Sequence, residues 1–370
     1  MRDDHSRNRV NRGEFSRSQI RSEEAVKRKL PSKLSSLLFA TSSLFVSLAL
    51  FHSPWSAWAQ SSVPSSGQQD ARPISQEVHS AAPAALLKPA QIMHIDVDLA
   101  LVNVVVTDPF NRLVTGLDSD NFRVFEDNVE QEIVNFSSED VPISIGVIFD
   151  CSGSMSNKLG KAREAAIEFF KTANPEDEFF LVSFNERAEL ASSFTNSVED
   201  LQSRLMLTSS KGRTALLDAI YLGLSQMRGA HNGKRALLIL SDGGDNHSRY
   251  DEGDIKRLVK EANTQLYAIG IFDPLGYRSR TMEELNGPSL LSEITEMTGG
   301  RVFAADNLNE LPDIATKIGL ELRNQYVLGY RPSNKTHDGR WRKIKVKLRA
   351  PRGLPQLSVY SKTGYYAPTH

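Results

Sequence analysis

Two aspartates, two serines and a threonine stand just beyond apolar runs in this 370-residue chain, with a spacing that could gather them. ISIGVIF runs into Asp150-Cys151-Ser152-Gly153-Ser154-Met155, and ALLIL runs into Ser241-Asp242-Gly243-Gly244-Asp245. Between them, Lys211-Gly212-Arg213-Thr214 opens the amphipathic stretch TALLDAIYLGL, so Thr214 follows Asp150 by 64 residues and Asp242 follows it by 92. All five side chains offer oxygen, the donor that hard cations such as Mg²⁺ prefer over zinc or copper. Two carboxylates balance a divalent charge, which predicts a near-neutral occupied site, and neutral hydroxyls leave the ion electrophilic. Mg²⁺ keeps water in part of its octahedral shell. An acidic side chain of a partner can replace that water, so the constellation suits carboxylate capture. The same donors also accept Mn²⁺ or Ca²⁺. Taken singly, each piece has a plainer use: Asp-x-Ser-x-Ser caps helices, and Asp-Gly-Gly-Asp makes a turn.

The elements that must position these residues read clearly. Between about Ile143 and Arg323, the short apolar strands ISIGVIF, EFFLVSF, ALLIL, QLYAIGIF and RVFAA alternate with helices. The helices are expected to start near Leu159, Ser197, Thr214, Asp251, Pro288 and Leu308. Apolar strands alternating with amphipathic helices predict an α/β fold: a doubly wound, mainly parallel, Rossmann-like sheet with helices on both faces. Ligands bind such sheets at the carboxyl ends of the strands, where Asp150, Ser152, Ser154, Thr214 and Asp242 would meet. Period-two segments bracket this region: from Ile92 onward IDVDLALVNVVVTD and FRVFEDNVEQEIVNF before it, YVLGY, RWRKIKVKLRA and LPQLSVYS after it. Each is too short for its own core, so the N- and C-terminal strands are expected to pair into one small β-domain. The reading divides the chain into 1–59 (signal peptide or anchor), 60–90 (flexible linker), 91–140 (N-terminal β segment), 141–325 (α/β domain) and 326–370 (C-terminal β segment).

The Asp-x-Ser-Gly-Ser-Met run, the helix-opening Thr and the later Ser-Asp-Gly, in that order, resemble the von Willebrand factor type A domain and its metal-ion-dependent adhesion site. The resemblance covers about residues 141–325. It implies hydroxyl ligands from Ser152, Ser154 and Thr214, with Asp150 and Asp242 bound directly or through water. The flanking pieces, VNVVVTDPFNRLVTGLDSDNFRVFEDNVEQEIVNFS and YVLGYRPSN with KTGYYAP, resemble a bacterial VWFA-related family common in acidobacteria, which adds architecture rather than a substrate. Two positions depart from the pattern: Cys151 replaces a small polar residue, and Arg213 stands where Gly is frequent. Asp218, Asp245 and Arg213 are candidates for a supporting layer around the ion, with solvated loop charge as the alternative.

Charge and composition narrow the classes. Residues 1–59 carry ten Lys/Arg against five Asp/Glu, which leaves 34 against 40 in the remainder. That acidic body argues against a nucleic-acid partner. The basic segment precedes the apolar run from Leu34 to Phe51 and then Ala57-Trp58-Ala59, the pattern of an export signal; uncleaved, its 18 residues would just span a bilayer. Export to the periplasm, the envelope or the medium is expected, with membrane contact only through this segment. Residues 60–90 are rich in Ser, Pro and Ala and lack aromatics, as a linker does. One Cys excludes a disulfide scaffold. Gly-x-Ser-x-Gly and phosphate-loop patterns are absent, and the eight His are scattered, with a His247–Ser couple the one conceivable nucleophilic pair.

These observations predict an exported, non-enzymatic binding protein that holds Mg²⁺ and captures an acidic group on a protein partner. The alternatives are an envelope or assembly protein whose ion only stabilises loops, and a metal-assisted hydrolase, for which no general base is evident. In RWRKIKVKLR the alternation of Lys343, Lys345, Lys347 and Arg349 with Ile344, Val346 and Leu348 predicts an edge strand protected by Lys, or else an anion-binding face.

Overall fold

The computed structural model describes residues 99–272, 282–305 and 307–369, all within the unit Lys88–His370. The expected signal or anchor (1–59) and the expected linker (60–90) lie outside the described residues. Among the described residues, no helix is long and apolar enough to cross a membrane.

The central six-stranded sheet contains β5 (Ile143–Asp150), β6 (Glu178–Phe184), β7 (Ala188–Thr195), β8 (Lys234–Ser241), β9 (Gln265–Gly270) and β10 (Val302–Ala304), in the order β10-β9-β8-β5-β6-β7. All neighbours are parallel except β6 and β7. Every residue of β5 is buried, because helices cover both faces. On one face α1 (Leu159–Phe170), α2 (Val198–Met206) and α6 (Leu311–Arg323) pack on Ile145, Val147 and Phe149. On the other, α3 (Leu216–Met227), α4 (Glu252–Glu261) and α5 (Met282–Thr298) pack on Ile148, Leu237 and Ile239. Burying each such aliphatic or aromatic side chain contributes about 1.5–3 kcal/mol.

Three local expectations are corrected. The antiparallel edge strand β7, AELASSFT, has no apolar run to announce it, and its burial is only partial. α5 begins at Met282, with Pro288 inside it rather than at its start. As the seventh residue of the helix, Pro288 lies beyond the first turn, so its missing N–H removes one internal helical hydrogen bond. At the preceding position the helix backbone meets the loop after β8 so closely that a Cβ on Gly287 would lie 1.7 Å from the Gly243 carbonyl oxygen. The third correction concerns the cationic strand. β12 (Trp341–Leu348) is not the edge strand of its sheet: it lies between β14 (Gly364–Tyr366), paired at Trp341–Lys343, and β2 (Phe122–Glu126), paired at Ile344–Leu348.

The flanking segments pair with each other. β1 (Ala100–Thr107), β4 (Ile133–Ser137), β11 (Tyr326–Tyr330) and β13 (Ser358–Ser361) form one sheet in the order β13-β1-β11-β4. β14, β12, β2 and β3 (Val129–Gln131) form the other. Each sheet mixes strands from both ends of the described chain. β2 and β3 join through Asp127 and Asn128, both at positive φ (47° and 70°), as a tight two-residue hairpin requires. The shared core contains Val102, Val104, Phe122, Val124, Tyr326, Leu328 and Ile344. Within it the Glu126 carboxylate accepts hydroxyl hydrogen bonds from Tyr330 (2.7 Å) and Tyr365 (2.9 Å).

Candidate metal centre

β5 has β6 on one side and β8 on the other. Connections leaving β5 and β8 therefore diverge, and a crevice opens at their carboxyl ends. Asp150 ends β5 and Ser241 ends β8. The Asp150 side chain is fully buried, with Oδ1 accepting the Ser152 N–H at 2.8 Å and Oδ2 accepting the Ser241 hydroxyl at 2.6 Å. Ser241 Oγ in turn accepts the Gly243 N–H at 3.0 Å, which shapes the turn carrying Asp242. Ser241 was not singled out in the sequence, although it directly precedes Asp242; its burial next to Asp150 gives it this role.

The three loops converge through backbone bonds. Gly153 N–H donates to Gly212 O at 3.0 Å, and Lys211 N–H donates to Cys151 O at 2.9 Å. Thr214 is buried; its N–H donates to Asn246 Oδ1 at 3.0 Å, and its carbonyl accepts the N–H groups of Asn246 and His247. These contacts clip the loop before α3 both to the Asp150–Met155 loop and to the loop after β8. The Ser152 and Ser154 hydroxyls lie 3.0 Å apart, Ser152 buried and Ser154 exposed, so the crevice has an outward side.

Electrostatics at the crevice are strained. Burial, followed by the nearby Asp242 carboxylate, pushes the Asp150 carboxyl up to about 7, against the opposing hydrogen bonds from Ser152 and Ser241. Asp242 is buried too, and its Oδ2 lies 3.1 Å from Lys158 Nζ. Two buried carboxylates that repel each other, beside paired hydroxyls, suit a hard divalent ion, which would relieve that repulsion. Asp150, Ser152, Ser154, Thr214 and Asp242 are the residues that would hold it. Among the described residues no group of three or more His, Cys, Asp or Glu gathers as a metal site, so the donor set depends on hydroxyls. Lys158 brings a basic side chain into the crevice that the expected charge balance left out. In the sequence Lys158 looks like a solvated lysine ahead of an amphipathic helix, and only its burial reveals it.

The three supporting candidates have other occupations. Asp218 accepts from the Arg249 N–H (2.9 Å), Arg249 Nε (3.1 Å) and the Tyr250 N–H (3.3 Å). Asp245 accepts from the Leu217 N–H at 3.2 Å and the Ser248 hydroxyl at 2.6 Å, holding the first turn of α3. Arg213 is exposed, with Nη1 3.5 Å from His247 Nδ1, so this ring nitrogen faces a guanidinium rather than a serine. Cys151 is buried, and desolvation raises its thiol to about 11, which keeps it protonated and inert.

Residues 145–244, which include all five candidate ligands, match the family model of the von Willebrand factor type A domain. The chain carries a von Willebrand factor type A domain. Curated relatives of the chain include an uncharacterized protein of Borreliella burgdorferi, 24% identical over 184 residues, covering 44% of this chain and 54% of the relative. A UPF0353 protein of Mycolicibacterium paratuberculosis is 25% identical over 205 residues, covering 50% of this chain and 61% of the relative. The chain thus spans little more than half the length of these relatives. Among solved structures, the von Willebrand factor type A protein of Catenulispora acidiphila aligns with a TM-score of 0.42 at 13% identity, covering 72% of this chain and 74% of that one.

Proposed function

We propose that this protein is an exported binding module whose type A domain holds Mg²⁺ and captures an acidic side chain of a protein partner. The observation that carries the reading is the pair of buried carboxylates, Asp150 and Asp242, beside the Ser152 and Ser154 hydroxyls at the mouth of the crevice. When bound, the ion would supply an electrophilic coordination position for a carboxylate. Asp150 and Asp242 provide the negative charge that retains it. Ser152, Ser154 and Thr214 provide neutral oxygen. Ser241 fixes the rotamer of Asp150, and the exposed Ser154 marks the side open to a partner. Export is supported by the basic segment, apolar run and Ala57-Trp58-Ala59 at the N-terminus.

The test is affinity capture from envelope extracts with the full chain, run with Mg²⁺ and with chelator, beside the Asp150→Ala variant. The module reading expects a partner retained only by the wild-type protein with Mg²⁺. A partner held equally well in chelator would overturn it. Chelation that lowers the melting temperature without changing the captured partner would favour a purely structural ion.

A further inference from the structure

Lys158 directly precedes α1 and is only 5% exposed. Its N–H donates to Met155 O at 2.9 Å and its carbonyl accepts the Ala162 N–H at 3.0 Å, which fixes it between the Ser152–Met155 loop and the first turn of α1. From there the side chain reaches into the crevice, and its ammonium pairs with Asp242 Oδ2 at 3.1 Å, with side-chain exposures of 6% and 8%. Among the described residues, Asp242 is the one ion-pair and hydrogen-bond partner of the Lys158 ammonium. A buried ion pair is not a default stabiliser, because desolvating both charges offsets most of their attraction, and apolar side chains often serve as well. The pair is also placed where it matters most for an ion: the lysine shares an oxygen of a candidate ligand.

The consequence follows from charge. With both aspartates ionised, the crevice holds a formal charge of −1, since Lys158 cancels one carboxylate. A divalent ion would bring it to +1, and one carboxylate from outside would return it to zero. Without Lys158 the same three states would be −2, zero and −1, so the arriving carboxylate would create a charge rather than cancel one. At separations of a few ångströms inside protein, each such unit charge matters by several-fold to many-fold in affinity.

We infer that Lys158 couples the ion to its ligand: it weakens divalent-ion binding taken alone and makes binding of a carboxylate cooperative with it. This rests on the metal-dependent reading above. The site then retains its ion most tightly while an acidic partner is engaged. The ligand class that restores neutrality is a monoanionic carboxylate, of the kind an Asp or Glu side chain presents.

The experiment titrates the full chain with Mn²⁺ by calorimetry, with and without acetate at matched ionic strength and fixed alkaline pH. The proteins are wild type, Lys158→Met, Lys158→Gln and Lys158→Arg. Removing the charge is expected to tighten Mn²⁺ binding at least about tenfold without acetate, while Lys158→Arg stays near wild type. Acetate is expected to tighten Mn²⁺ binding to wild type and Lys158→Arg, and to leave the neutral variants unchanged or weaker. Circular dichroism checks folding, and Lys158→Gln, which keeps a donor, is read if Lys158→Met does not fold. Equal or weaker Mn²⁺ binding by the neutral variants overturns the inference and leaves the metal reading standing. So does an acetate effect of the same size in every protein. Failure of every protein to bind Mn²⁺ overturns both.

Discussion

The Ser241 hydroxyl donates to Asp150 Oδ2 at 2.6 Å, joining the ends of the two central strands β5 and β8 with both side chains fully buried. Its proton is spent on Asp150 and its lone pair on the Gly243 N–H. One hydroxyl therefore orients the first candidate ligand and the turn that carries the last.

Replacing Ser241 with Ala leaves Asp150 Oδ2 and the Gly243 N–H without their partner. The expected cost is about 1–3 kcal/mol of stability, the usual penalty for orphaned buried polar groups. Urea denaturation in the presence of chelator measures it. An unchanged midpoint would mean that the two loops are held by other contacts.

Asp150 sets a pH dependence. Its carboxyl is raised from 3.8 to about 7 by burial and by Asp242. Between those values the folded metal-free protein keeps a proton that the unfolded chain has released, so stability contributed at Asp150 is lost as pH rises through that window. Metal affinity runs the other way: below about 7 an ion must displace the proton, so Mn²⁺ binding weakens as pH falls. In Asp150→Asn the stability slope assigned to this residue is expected to vanish. Persistence of the slope would place its origin elsewhere.

Much of this centre was legible in the sequence because local signals and global position agree. The uninterrupted apolar runs ISIGVIF and ALLIL allow only buried strands, and Asp150 and Asp242 follow them directly, at the edge where parallel sheets bind ligands. What was not legible depends on tertiary neighbours. Lys158 is buried by the crevice around it, not by its place in the helix pattern. The lysines of β12 alternate as on an edge strand, yet β14 and β2 flank it on either side, which only chain reversal near the C-terminus reveals. β7 lacks a run of large apolar residues because it covers one edge and is only partly buried.

The β-domain makes its own prediction. Glu126 is 2% exposed and accepts hydrogen bonds from two tyrosine hydroxyls, each from a strand of the C-terminal segment. Tyr330→Phe is expected to cost about 1–3 kcal/mol, read by denaturation. Because both sheets mix the two segments, limited proteolysis is expected to release neither 99–140 nor 326–369 as a separate folded piece. Recovery of either one, folded, would contradict the pairing.

Lys234 supplies a signal on the alkaline side. Burial lowers its ammonium from 10.5 to about 8, against the raising effect of Asp140, and it donates to the Leu322 carbonyl at the end of α6. Between those values the unfolded chain holds a proton that the folded protein has lost, so this residue makes stability rise with pH from about 8 to 10.5. The difference between wild type and Lys234→Met, followed by urea midpoint against pH, is expected to carry that rise. A flat difference would contradict it.

The central claim is that Asp150, Ser152, Ser154, Thr214 and Asp242 enclose one hard ion. Crystals grown with Mn²⁺, with anomalous scattering recorded at a wavelength sensitive to manganese, test it directly. The account predicts a peak within coordination distance of the Ser152, Ser154 and Thr214 hydroxyls, with the aspartates bound directly or through water. No peak in this crevice, or an ion that leaves the three hydroxyls uncoordinated, would contradict it.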